Sequence, residues 1–317
     1  MPSQPAPAVT PRRVSHRPRN PSHSRGLADL ACLAPAMALF GVFIVVPMLG
    51  AIALSLFRWN GLGTPHWAGA ANWIQFAHDP LARQALVVTA KVVVLSWVVQ
   101  TPISIALGLF TAGRQRYRSV YAALYVLPLL LSTAGIALMW EALLDPNFGG
   151  LTALSKSLNL GFLQQNWLGN PKITLYVIIA LIAWQFIPFH SLLYQMGRRQ
   201  IPHVLYEAAR LDGASPVQLF WRVTLPQLRY TVVTSSTLII VGSLTYFDIV
   251  YIMTNGGPGY TTRVLSLDMY QAAFQQNEFG YASVLAVVLG IVGVGIALSL
   301  VRFSGFGSMA SQQEGAA

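Results

Sequence analysis

The chain has 317 residues, of which 54% are hydrophobic and only 9% charged, with a formal net charge of +10. A soluble domain of this size carries about 25% charged residues, so the composition excludes a water-soluble globular protein and describes an integral membrane protein. The basic residues are scattered between apolar runs, which excludes a nucleic-acid-binding patch and reads as a topology signal.

Residues 1–26 are rich in Pro, Ser and Arg and cannot bury enough apolar surface to fold alone. They read as a disordered basic cytoplasmic tail. Arg12-Arg13 is reminiscent of a twin-Arg export signal and Ala51-Ile52-Ala53 of a cleavage site. The apolar segment between them argues against both, because it is far longer than a signal-peptide core of about 7–15 residues. Cys32, the single cysteine, cannot form an internal disulfide and reads as a small packing hydrophobe.

Crossing about 30 Å of hydrocarbon takes roughly 20 mainly apolar residues in a helix. Six segments qualify, at 30–57, 85–112, 119–143, 173–196, 228–252 and 281–303. Pro35, Pro47, Pro102, Pro128 and Pro188 fall inside them, so kinked helices are expected. With the N-terminus inside, fourteen Arg fall on the cytoplasmic side, against five Lys or Arg outside and Lys91 within a span. That excess predicts cytoplasmic N- and C-termini. The last residues, 304–317, read as a short tail. Trp67, Trp73 and Trp167 in the outer loops suit an interfacial aromatic belt or contact with an external partner.

One polar stretch, 203–226, also carries a helical apolar pattern. Val204, Leu205, Ala208 and Leu211 recur at spacings of three to four, as do Val217, Phe220 and Val223 after a break. Gly213 is placed to end one helix in a left-handed conformation, and Ser215-Pro216 to start another as cap and first residue. Two short helices meeting at a bend are predicted, on the cytoplasmic side and suited to docking into a cleft of another protein.

The same stretch resembles the EAA motif of bacterial binding-protein-dependent ABC importer permeases. Glu207-Ala208-Ala209 is followed after three residues by Gly213, after nine more by Val223, and then by Leu225-Pro226. Only Val223 departs from the family's Ile. The resemblance implies an all-α membrane fold of six kinked helices with a cytoplasmic coupling helix. It also implies an ATPase-coupling site at Glu207, Ala208, Ala209, Asp212, Gly213, Leu225 and Pro226. There Glu207 would make polar contact, the two Ala would allow close approach, and Gly213 would supply the bend. On this reading 27–303 is the transmembrane permease domain.

A second resemblance covers Phe247-Asp248, Tyr251, Thr254 and Gly256-Gly257-Pro258, supported by Trp184-Gln185 and Ile201-Pro202. It is to the carbohydrate class, of the maltose F-type and glycerol-3-phosphate A-type. The implied partners are an ABC ATPase dimer that binds ATP and Mg, a second homologous permease, an extracellular solute-binding protein, a carbohydrate and membrane lipid. No cofactor, metal, nucleic acid or catalytic residue of its own is implied.

Thr234, Thr237, Val241, Thr245, Asp248, Tyr251 and Asn255 follow three-to-four spacing and draw a partly polar stripe down the fifth span. An acid within a span faces a protein interior or a watery cavity. Asp248, Tyr251 and Asn255 are therefore candidates for a substrate path, while Asp248 also suits a bond to the following Gly-rich turn. The threonines suit bonds to their own backbone or a neighbouring helix. Trp140, Glu141, Trp184 and Gln185 are further path candidates, because aromatic faces stack on sugar rings; core packing is the competing role. His190 reads as a hydrogen-bonded interior histidine. The chain lacks a Gly-x-x-x-x-Gly-Lys-Ser/Thr phosphate loop, so it carries no nucleotide motor of that kind. An ion-driven secondary transporter would need intramembrane acidic pairs and inverted repeats. A membrane-bound sugar transferase would need clustered carboxylates or histidines. Neither pattern is present in the sequence.

Overall fold

A computed structural model describes residues 24–113 and 116–303. The tail at 304–317 and all but the last three residues of the expected tail at 1–26 lie outside the described residues. The chain falls into two compact units, 1–49 and 50–317. In the first, α1 (Ser24–Phe40) passes through a π turn at Gly41–Val45 into α2 (Val46–Leu54). Leu33, Met37 and Phe43 on this stretch are exposed, as suits a lipid-facing helix.

The second unit opens with a two-residue hairpin, β1 (Phe57–Arg58) and β2 (His66–Trp67), paired antiparallel with Arg58 opposite His66. This small sheet is an addition to the all-α expectation. α3 (Ala71–His78) and α4 (Pro80–Thr111) follow. α4 starts five residues before the expected span at 85, because Asp79 accepts from Leu81 N at 2.8 Å and Pro80 takes the first helical position.

The expected span at 119–143 is not one helix. α5 (Arg116–Val126) runs into a 3-10 turn at Leu127–Leu130, and α6 (Thr133–Leu143) leaves at 95°. Pro128 lacks the N–H an α-helix needs. Leu131 is extended (ψ 148), and the Ser132 hydroxyl accepts from Gly135 N at 3.1 Å to begin a new helix. After α7 (Gly150–Leu158) comes α8 (Thr174–Gln200). α8 continues through Pro188 as α4 does through Pro102, so neither of these prolines breaks its helix.

α9 (His203–Leu211), α10 (Pro216–Leu219) and α11 (Leu225–Gln227) lead into α12 (Arg229–Ser243). α13 (Asp248–Thr254) then departs at 44°. This break in the expected fifth span contains no proline. Phe247 N donates to Thr245 O at 2.7 Å, and Thr245 Oγ1 donates to Gly242 O at 2.9 Å, so local bonds replace the helical ladder. α14 (Leu265–Tyr270), with its π turn at Gln271–Gln275, and α15 (Phe279–Phe303) complete the chain. What sequence spacing presents as a loop after Gly256 is therefore mostly helical. Among the described residues, Cys32–Leu54, α4, α8 and Phe279–Leu300 are each long and apolar enough to cross a membrane, and counting each bent pair as one broken span gives up to six.

α4 and α8 are parallel partners in close contact. Ser104 Oγ donates to Ile187 O at 3.4 Å and Gln195 Nε2 to Thr111 O at 2.8 Å. Between these bonds, a Cβ on Gly108 would stand 2.6 Å from Ser191 O and from Tyr194 Cβ. Gly108 is thus the small residue that lets two backbones approach, as membrane helix pairs require. The apolar core at the α8 N-terminal end gathers Val92, Ile178, Ile182, Ile249 and Val250. A second cluster at the opposite end joins Tyr194, Ile201, Tyr206 and Leu228.

Two long-range ties close the first of these ends. Tyr281 Oη donates to Asp79 Oδ2 at 2.6 Å, and Leu265 N donates to Thr89 Oγ1 at 2.8 Å. Arg263 forms a buried ion pair with Asp268, donating from Nε at 2.8 Å. Burial pushes the Asp268 carboxyl above the usual carboxylate range, with the Arg263 hydrogen bond and charge opposing the shift.

Candidate functional site

The stretch between α8 and α12 has the bend that its sequence predicts. α9 ends with Asp212 N on Ala208 O at 3.0 Å and Ala214 N on Ala209 O at 2.9 Å, while Gly213 takes φ +78. Ser215 then caps α10 with Pro216 at its first position. Its hydroxyl accepts from Gln218 N at 3.3 Å, and Gln218 Oε1 accepts from Ser215 N at 2.8 Å, closing a capping box. A π turn at Phe220–Thr224 links α10 to α11.

Of the residues that the apolar spacing picks out, Val223 packs on the anchoring cluster, whereas others face outward. Val204, Leu211 and Val217 are 69%, 89% and 66% exposed. Tyr206 is buried instead, and its hydroxyl lies 2.9 Å from Thr224 Oγ1. Thr224 Oγ1 in turn donates to Leu219 O at 3.2 Å. The Arg198 guanidinium sits 4.0 Å over the Tyr206 ring, tying α9 back to the end of α8. Leu219, Val223 and Leu228 pack on the same cluster, with Ile105 and Leu109 of α4. A local rule sees spacing along one helix, whereas the anchoring contact joins residues eighteen positions apart.

Glu207, Ala208, Asp212, Gly213 and Pro226 are exposed, and Ala209 and Leu225 are half-buried. The whole expected coupling set therefore lies on or near the outer surface of one rigid, bent element. Trp221, 61% exposed, extends the same surface. Trp221 stands four residues after Val217, in the π turn.

Of the expected substrate-path residues, Gln185 and Asp248 border one cavity and the other five do not. A cavity of about 420 Å³ lies between α8 and the α12–α13 break, bordered by Gln185, His190, Thr245, Tyr246 and Asp248 among others. Asp248 is exposed in the first turn of α13, and among the described residues its carboxylate has no hydrogen-bond partner. Gln185 is buried, with Nε2 on Thr133 Oγ1 at 3.0 Å. His190 Nδ1 meets Ser235 Oγ at 3.0 Å, the interior hydrogen bond expected of it.

Tyr251 stacks on Phe247 with ring centroids 5.2 Å apart, away from the cavity. Asn255 caps α13 in a left-handed conformation and accepts from Gln271 Nε2 at 3.1 Å. Trp140 and Trp184 pack edge to face at 5.6 Å, and Glu141 is exposed; none of the three borders the cavity. Thr237 donates to Val233 O at 2.9 Å, a bond to its own backbone like that of Thr245. The stripe expected to run from Thr234 to Asn255 is interrupted because the helix breaks between Ser243 and Asp248. Phe186, Phe189 and Tyr246, which spacing alone does not single out, provide the cavity's aromatic wall.

Comparison with known proteins places this arrangement among relatives. Residues 100–304 match the family described as "binding-protein-dependent transport system inner membrane component". A probable ABC transporter permease protein of Pyrococcus horikoshii is 34% identical over 277 residues, spanning 86% of this chain and 94% of that protein. The trehalose/maltose transport system permease protein MalF of Thermococcus litoralis is 29% identical over 272 residues, spanning 86% of this chain and 87% of that one. The fold is similar to a chain in the crystal structure of a bacterial ABC transporter involved in import of the acidic polysaccharide alginate. The TM-score is 0.76 at 22% identity, over 89% of this chain and 96% of that chain.

Proposed function

This chain belongs to the family of binding-protein-dependent transport system inner membrane components, and from that premise we propose that it is the permease subunit of an ATP-driven carbohydrate importer. The observation that carries the reading is the bent element at 203–228. It is rigidly anchored through Tyr206 and Thr224, yet it presents Val204, Leu211, Val217 and Trp221 to the outside. An exposed apolar patch beside exposed carboxylates marks a docking surface. We assign it to a cleft of a partner ATPase, which binds ATP and Mg.

The mechanism follows from the connections. A solute-binding protein on the outer side delivers sugar to the loops at the far end of the bundle. ATP binding draws two ATPase subunits together. Their motion enters at α9–α11 and passes through the Tyr194–Leu228 cluster to α4, α8 and α12. Of these, α8 and α12 border the cavity that holds Asp248 and Gln185, and its aromatic and hydrogen-bonding wall suits sugar rings and hydroxyls. A second, homologous permease completes the path. The Arg distribution supports cytoplasmic termini and a cytoplasmic α9–α11.

The test is ATP hydrolysis by the reconstituted complex with its ATPase and binding protein. Hydrolysis stimulated by sugar-loaded binding protein is expected. Sugar uptake that persists without ATP and collapses with the ion gradient would refute the reading.

A further inference from the structure

Another cavity, of about 540 Å³, shares no residue with the one bordered by Asp248. It lies at the opposite end of the bundle from α9–α11, between the β1–β2 hairpin, α3 and the start of α15. Its volume is that of a small-molecule site, for which about 300–1,000 Å³ is typical.

Its walls are fixed from behind. Trp59 O accepts from Phe279 N at 3.0 Å, and Trp59 Nε1 donates to Gly63 O at 3.1 Å. Buried Asn72 donates to Ser55 O at 2.9 Å and to Phe57 O at 2.8 Å. Gly61 has φ +87, and a Cβ there would stand 2.6 Å from the Phe279 ring; a Cβ on Gly280 would overlap Phe57 O. Hairpin and helix therefore lock together through glycines that leave no room for adjustment.

Several polar side chains facing this cup are unused. Arg58 and His66, opposite one another in the hairpin register, have no side-chain hydrogen bond or ion pair among the described residues. Asn277, held at φ +58, likewise has no side-chain partner among them. Across the cup, Gln75 Nε2 donates to Glu278 Oε2 at 3.2 Å, which leaves Glu278 Oε1 and the Gln75 carbonyl as acceptors. The lining thus offers a guanidinium and an imidazole on one wall, acceptors on another, and the indole of Trp59 beside them. A neutral polyol, whose every hydroxyl both donates and accepts, matches this mixture better than an anion, which would meet Glu278, or an apolar ligand, which would leave the polar groups unpaired.

We propose that this cup is a second saccharide-binding site, on the extracytoplasmic side and separate from the membrane cavity, in which Arg58, His66, Asn277, Gln75 and Glu278 hold sugar hydroxyls beside Trp59. The side of the membrane and the sugar class rest on the function proposed above.

The test uses the whole complex in nanodiscs without the binding protein, with trehalose, maltose and maltotriose as probes and saturation-transfer NMR as readout. At least one probe gives a signal in the unmodified complex. With the membrane cavity filled by Thr245→Trp, a signal remains; adding Gln75→Trp, which fills the cup from an exposed position, abolishes it, and adding Arg58→Ala weakens the apparent affinity about tenfold. Absence of signal from all three probes overturns the proposal, as does a signal that disappears with Thr245→Trp alone or survives the Thr245→Trp, Gln75→Trp pair. Uptake by the full system separates the two readings. ATP-driven uptake without a cup signal refutes the second site alone. Uptake that needs no ATP refutes the importer reading and leaves the cup signal to be judged by the variants.

Discussion

Removing the Tyr206 hydroxyl tests whether α9 and the π turn are held as one body. In Tyr206→Phe the ring remains, and so does the Arg198 guanidinium 4.0 Å above it. Thr224 keeps its bond to Leu219 O at 3.2 Å. The loss is one neutral hydrogen bond, about 0.5–1.5 kcal/mol. Thr224→Val is a harsher change, because it strands the Tyr206 hydroxyl at a site only 6% exposed and also frees Leu219 O. An unsatisfied buried group costs about 1–3 kcal/mol. The double variant, with both partners apolar, costs less than the sum of the two. Hydrogen exchange of amides 203–228 in the assembled complex reads these differences, since each 1 kcal/mol changes local opening about fivefold. The expected order is Thr224→Val most open, Tyr206→Phe intermediate and the original chain least open. Equal opening in both single variants, or strict additivity in the double, would refute the anchoring role.

Three other outcomes are expected. At Gly213 no atom lies within 4 Å of the site of a Cβ, so the cost of a side chain is left-handed strain alone. Gly213→Asn should keep sugar-stimulated ATP hydrolysis, while Gly213→Val loses about 1–2 kcal/mol locally and Gly213→Trp uncouples or sheds the ATPase; normal transport by Gly213→Trp would exclude a coupling role. Gly108→Val should force α4 and α8 apart and destabilise the subunit by about 1–3 kcal/mol, seen as a lower melting temperature in detergent, and an unchanged melt would contradict the close approach. Asp268→Ala should cost about 3–5 kcal/mol by stranding buried Arg263, with an Arg263→Met, Asp268→Leu pair recovering much of it. Because the folded-state pKa of Asp268 is raised, its share of stability is present at acid pH and declines as the pH rises through that raised value. Exchange protection of 260–272 should fall over that range, and Asp268→Leu in the paired variant should flatten the dependence.

The sequence by itself determined the membrane class, the approximate spans and the bend at Gly213-Ala214-Ser215-Pro216. Each depends on local chemistry: apolar run length, a left-handed glycine, a capping hydroxyl and a proline at the first helical position. It also marked Glu207 to Pro226 as the surface element, since a polar stretch between two spans has to leave the lipid. Only the tertiary structure decided which face of that element is anchored. Tyr206 is buried by Thr224, Arg198 and Leu228, which come from separate segments, while Val204 and Leu211 stay exposed. Helix breaks divide in the same way. Pro128 interrupts its helix, but Pro102 and Pro188 do not, and the fifth span breaks at Leu244–Phe247 without any proline. In the lipid phase a freed backbone group is tolerated wherever a neighbouring helix or side chain satisfies it. The neighbours around each proline are set by the packing of α4, α8 and α12, and no window of sequence contains all three.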